Sequence, residues 1–202
     1  MRKTLLLLSI VAVISNSGCS NNNQITKAGN SVGNNVTYLE STMPMDAYKN
    51  QMLSYINNIR LSGATCAAPT TPLNWNNTLE NVAKAQSKDM ALNNFVSHIG
   101  SGTALDPAKP SIGVGSTFVD RIEYFGYGVR AGQLVGENIT RTNIKSVKSA
   151  DIMPNFKRAM TIIVNDKPHC EILMNPRFKD IGVAMYRRGG HYYFAMELAE
   201  RK

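Results

Sequence analysis

The 202-residue chain is short of the features that usually announce a function. It has three histidines and three cysteines, and no Ser–His or Cys–His dyad can be read from their positions. No segment is internally repeated, and the length leaves room for one domain with a core of ordinary size plus an export segment. No Lys/Arg run is interleaved with aromatics, so the footprint of a nucleic-acid binder is missing. No apolar run is long enough to cross a bilayer as a helix of the mature protein. The longest, from Thr4 to Ile14, follows the basic Met1-Arg2-Lys3 and has the length and flanks of a signal-peptide core. The formal charge is +8, or +6 without Arg2 and Lys3, and it is spread through the chain. That balance favours loose attraction to acidic lipid or cell-wall polymer.

Ser17-Gly18-Cys19 places two small residues before a cysteine, as at the end of a bacterial lipoprotein signal, although Asn16 stands where an aliphatic residue is usual. On this reading residues 1–18 are the signal, Cys19 is lipidated, and the membrane is reached through that anchor. Ordinary signal cleavage, which discards Cys19 and frees a secreted protein, is the alternative. Residues 20–41 are rich in Asn, Ser, Thr and Gly without helical or strand period, so 19–45 is expected to be a flexible tether and 46–202 the folded domain. Cys66 and Cys170 remain. In an oxidising compartment they read as one disulfide, with two buried free thiols as the alternative.

Pro44 and Asp46 open an expected helix with Tyr48, Met52, Tyr55, Ile56 and Ile59 on one face and Gly63 at its end. A second helix follows Trp75, capped by Asn76 or Asn77, with Leu79, Val82, Ala83 and Met90 inward. It runs out at Asn93-Asn94, which leaves His98 in the exit loop. The Gly- and Pro-containing stretch 100–116 is expected to be a long irregular loop, and a short helix from Thr117 to Phe125 is stopped by Gly126. Gly136-Glu137-Asn138 looks like a turn entering a strand, and 149–164 like a further helix with Pro154 early in it. Two alternating runs, Ile181 to Arg188 and His191 to Leu198, flank Gly189-Gly190 as a β-hairpin. Helices first and strands last indicate an α+β fold.

Chemistry-bearing residues gather in three segments: Ser97-His98, Gly136-Glu137-Asn138 and Asp166-Lys167-Pro168-His169-Cys170. Two imidazoles and two carboxylates are the parts of a divalent-metal site or of an acid/base site. Each has a plainer reading: His98 bonding backbone, Glu137 capping turn donors, Asp166 as a helix-end residue and His169 as a packing contact. His191, beside the hairpin turn, is expected to be solvent-exposed.

Taken in order, Pro72-Leu73-Asn74-Trp75-Asn76, Phe95-Val96-Ser97-His98, Asp120-Arg121-Ile122, Gly136-Glu137-Asn138-Ile139, Pro168-His169-Cys170 and Asn175-Pro176-Arg177-Phe178 resemble a bacterial member of the CAP superfamily. That superfamily unites cysteine-rich secretory proteins, antigen 5 and pathogenesis-related proteins. The resemblance implies a three-layer α-β-α sandwich around a mainly antiparallel sheet. It also implies a cleft whose His98, Glu137, His169 and Asp166 hold a divalent metal, weakly bound zinc being the expected cofactor. Asp166 stands where animal and plant members have Glu and many bacterial ones Ser, and Ile163 replaces the usual Trp. The Cys66–Cys170 pairing fits bacterial members. The expected function is a monomeric, membrane-tethered binding module for a lipid, cell-envelope or protein ligand. A metal-dependent, peptidase-like hydrolase using His98, Glu137 and His169 is the second reading. A protein-interaction module with a vestigial cleft, working through the 100–116 loop, is the third.

Overall fold

A computed structural model describes residues 41–42, 47–144 and 152–201. The signal, Cys19 and nearly all of the tether lie outside these residues, as do Pro44 and Asp46.

The sequence periods produce the expected elements with shifted ends. Helix α1, Lys49–Ser62, buries Met52 and Ile56 and packs Tyr48, Tyr55 and Ile59 against the same core. It starts later than Pro44 suggested. Helix α2, Asn77–Asn93, is capped by Asn76, whose side-chain oxygen accepts from the backbone N–H of Thr78 and Leu79 at 2.9 and 3.1 Å. Its Leu79, Val82, Ala83 and Met90 are all fully buried. Helix α3, Phe118–Tyr124, opens on a Thr117/Asp120 capping box. Helix α4, Ile152–Asn165, carries Pro154 in its first turn, where a missing N–H costs no hydrogen bond. A separate helix α5, Lys167–Met174, follows at once; nothing in the period of 166–174 sets it apart.

The five strands among the described residues form one sheet. In chain order they are β1 (Ser41–Thr42), β2 (Asn74–Trp75), β3 (Val135–Asn143), β4 (Asp180–Arg188) and β5 (His191–Ala199). The spatial order is β1-β4-β5-β3, with β2 also on β4. The expected hairpin is β4–β5, in register from Asp180 opposite Ala199 to Arg188 opposite His191. β3 runs antiparallel along the other side of β5, and among the described strands only the two-residue β2 is parallel to its neighbour.

Side-chain alternation along β5 divides the layers. Tyr192, Phe194, Met196 and Leu198 face the core shared with α1, α4 and α5, while Tyr193, Ala195 and Ala199 face α2 and α3. This is the expected α-β-α sandwich. On the second face Gly182, Ala184 and Ala195 are small, and α2 comes very close. A Cβ at Gly182 would stand 2.0 Å from the backbone nitrogen of Glu80, so only glycine admits the first turn of α2 there. No helix among the described residues is long and apolar enough to cross a membrane.

Cys66, in the segment after α1, is bonded to Cys170 of α5 across 104 residues, with Cα atoms 6.1 Å apart. Closing a loop of that size stabilises the fold by roughly 4–5 kcal/mol in the chain-entropy view. A Cys66→Ala/Cys170→Ala chain is expected to lose about 2–5 kcal/mol in urea unfolding, and the intact chain to fall to the same midpoint when reductant is added. An equally stable double variant would leave the bridge without a structural role.

Candidate functional site

The site is built on β3. Because that strand starts at Val135, Gly136-Glu137-Asn138 lies inside it and not in a turn ahead of it. Alternation then sends Glu137 toward α2 and α3 and Asn138 toward α5.

On the first side, the Nδ1 of His98 is 2.7 Å from Glu137 Oε1. The other carboxylate oxygen accepts from Arg121 Nη2 at 2.7 Å. The same nitrogen donates to the His98 carbonyl at 3.1 Å, and Nη1 donates to the Ser116 carbonyl and hydroxyl at 2.9 and 3.1 Å. Arg121 is therefore a buried hub joining the loop before α3, α3 itself and β3. The buried Asp106 sits behind it, accepting from the backbone and hydroxyl of Ser116 at 2.8 and 2.6 Å. Burial alone would raise the Glu137 pKa. The Arg121 charge and the His98 hydrogen bond outweigh it and hold Glu137 ionised, below the ordinary carboxylate value.

On the second side, Asp166 takes the N-cap position of α5, and its Oδ2 engages the Nδ1 of His169. Asn138 Nδ2 donates to the His169 carbonyl at 3.0 Å, and the neighbouring Cys170 is fixed by the disulfide. The structure thus arranges the four expected residues as two imidazole–carboxylate pairs, tied to consecutive residues of β3. His98 is 39% exposed and His169 20%. Asp166 is part of the arrangement through its own histidine.

Each histidine has its Nδ1 engaged by a carboxylate, which leaves Nε2 as the available donor. A carboxylate behind an imidazole is the usual way to orient a metal-binding histidine and raise its basicity. Among the described residues, no three of His, Cys, Asp and Glu are placed to hold a metal ion together. A metal here would have at most the two imidazole Nε2 atoms from these four residues, with the two acids acting behind the rings. A concavity of about 1090 Å³ between α1, the 63–69 segment and α4 contains none of these residues.

Two members of the site carry no clear mark of that role in the sequence: Arg121 and Glu197. Glu197 lies directly opposite Glu137 in the β3–β5 register and is fully buried. Neither of its oxygens completes a hydrogen bond of good geometry among the described residues. Burial first, and the Glu137 charge second, push its pKa well above the ordinary value, so it is held protonated. An acid inside the apolar strand Tyr192 to Ala199 was the available signal. His191 corrects the expectation of full exposure: it is half-buried, packs edge-on to Tyr193, and has its pKa lowered by burial and by Arg141.

The Glu197 proton makes stability depend on pH in a defined direction. Above the unfolded-state pKa, the unfolded chain releases this proton while the folded one keeps it. Stability then declines as pH rises toward the folded value, by up to about 1.4 kcal/mol per pH unit. Glu197→Gln, which mimics the protonated acid, is expected to flatten the decline of urea-unfolding stability as pH rises above the ordinary carboxylate range. Glu137→Gln should instead cost about 3–5 kcal/mol, because it strands the Arg121 charge. An unchanged pH slope in Glu197→Gln would show that Glu197 is ionised.

Comparisons with known proteins show the family and the fold. Residues 53–198 match the model of the cysteine-rich secretory protein family. Among solved structures, an outer surface protein from Borrelia burgdorferi is similar at a TM-score of 0.56 and 18% identity, over 81% of this chain and 100% of that one. An extracellular protein containing an SCP domain from Bacillus anthracis is similar at 0.54 and 25% identity, over 76% of this chain and 40% of that one. No curated protein sequence matches. With a family model covering most of its length and a shared sandwich fold, the chain belongs to the cysteine-rich secretory protein (CAP) family.

Proposed function

We propose that the chain is an exported, lipid-anchored binding module whose two β3-supported imidazoles take a divalent ion of the zinc type. The observation that carries this reading is the pairing of each Nδ1 with a carboxylate, His98 with Glu137 and His169 with Asp166. His98 Nε2 and His169 Nε2 would be the protein donors, and the bound ion would supply a Lewis-acidic centre with open positions for a lipid, cell-envelope or protein ligand. Two neutral donors imply weak binding. The signal-like N-terminus and Cys19 support a domain held outside the cell on a membrane, in keeping with the word "extracellular" in the Bacillus protein's description.

The engagement of Glu137 favours binding over hydrolysis. Both its oxygens are held, one by Arg121 and one by His98, and a carboxylate locked by a buried guanidinium is a poor base for activating water. The serine in the network, Ser116, is buried with its hydroxyl donated to Asp106, and Cys170 is in a disulfide.

Zinc titration of the full chain by calorimetry tests the reading. The unsubstituted chain is expected to bind one ion, His98→Ala/His169→Ala to bind none, and Asp166→Asn to bind about 10–100-fold more weakly. Unchanged affinity in the double histidine variant would defeat the proposal. Turnover of a peptide or ester library that disappears in Glu137→Ala would move the chain to the hydrolase class.

A further inference from the structure

The loop ahead of α3 holds up the most exposed large apolar side chain among the described residues. Ile112 is 90% exposed, with Val114 at 51% and Ile99 at 49%. The three belong to one tip. Val114 N–H donates to the Ser111 carbonyl at 3.1 Å, and Gly113 N–H donates to the Gly102 carbonyl at 3.0 Å. Ile99 lies over Gly115, its Cγ2 2.7 Å from where a Cβ on that glycine would stand.

This tip is stiffly built. The buried Asp106 accepts from the backbone of Gly102 and Ser116 at 3.2 and 2.8 Å. Asp89 accepts from the backbone and hydroxyl of Ser101 at 2.8 and 2.6 Å. Gly100 N–H donates to the Ser116 carbonyl at 2.8 Å. The backbone is thus fixed with its aliphatic residues outward, where they gain nothing by folding inward.

We propose that the 99–114 tip is a wedge that enters the interfacial layer of an anionic phospholipid bilayer. The charge pattern selects this occupant. The carboxylates nearest in sequence, Asp106 and Asp120, are engaged in internal hydrogen bonds, and the Lys109 ammonium rests on the Asp106 carbonyl at 3.2 Å. The tip therefore offers no ionic pattern for a protein partner to read and no exposed acid to repel headgroups. Without the signal residues Arg2 and Lys3 the chain carries +6 and is drawn toward a negative surface. Few aliphatic groups insert only weakly by themselves. A tether of 20–41 can reach roughly 70 Å when extended, so a lipidated Cys19 would hold the tip at high local concentration over the bilayer. That last support rests on the anchor reading above; the wedge itself does not.

The test places a fluorescent reporter at the tip of the full chain. With excess vesicles of phosphatidylcholine and phosphatidylglycerol, the indole introduced by Ile112→Trp is expected to shift to the blue and to be quenched by brominated acyl chains. Ile162→Trp, at another exposed apolar position on α4, should show neither change, and Trp75 in the unsubstituted chain should stay unquenched. Adding Val114→Asp to the Ile112→Trp chain should abolish the shift, and pure phosphatidylcholine should weaken it. The proposal is overturned if the indole at 112 stays unquenched, or is quenched no more than the one at 162. It also fails if a shift appears without vesicles and grows with protein concentration, which would assign the tip to a second copy of the chain. Because vesicles are added in excess, these outcomes do not depend on whether Cys19 is lipidated or zinc is bound.

Discussion

The buried guanidinium of Arg121 is the constraint on which the site depends. A cation removed from water must be matched by an anion and by enough acceptors, or the fold loses several kcal/mol. Arg121 obtains both from three separate stretches of chain: the His98 carbonyl, Ser116 and the Glu137 carboxylate. The match also sets the charge of everything around it. One buried cation faces two buried carboxyls at Glu137 and Glu197, and only one of them can ionise cheaply. Glu137, in direct contact with Arg121, takes the negative charge, and Glu197 keeps its proton. The orientation of the His98 ring follows from that division.

The parts of the fold legible in the sequence were those governed by local rules. Spacing of apolar residues located the buried faces of α1 and α2, the Asn76-Asn77 pair and Thr117 marked helix starts, and alternation about Gly189-Gly190 revealed the hairpin. The parts that escaped depend on distant partners. β2 exists because Asn74 and Trp75 meet Asp180 and Ile181, more than a hundred residues away. The extension of β3 back through Gly136 comes from its ladder with β5, which overrides the turn-like look of Gly-Glu-Asn. For the same reason His98, Glu137 and His169 could be named as candidates while Arg121 and Glu197 could not. Their roles come from cross-strand register and burial, which single-chain spacing does not express.

The sheet is asymmetric in a way that suits an edge-mounted site. One face carries Tyr192, Phe194, Met196 and Leu198 and supports three helices at a distance, while the other carries Gly182, Ala184 and Ala195 and holds α2 close. β3 closes the sheet beside β5, and its consecutive residues Glu137 and Asn138 belong to opposite layers. The two histidines are consequently served from both layers at once, one through a side-chain carboxylate and one through a backbone carbonyl.

The bridge between Cys66 and Cys170 has a further consequence for timing. Cys170 directly follows His169, so the first turn of α5 gains its covalent footing only when the thiols are oxidised. Before that, the turn is held by weaker ties, among them the Asn138 hydrogen bond to the His169 carbonyl and the Arg60 contacts with the end of the same helix. Maturation of the imidazole pair is thus coupled to the redox character of the compartment. A chain whose thiols are reduced possesses the histidine without that anchorage, and oxidation completes the arrangement.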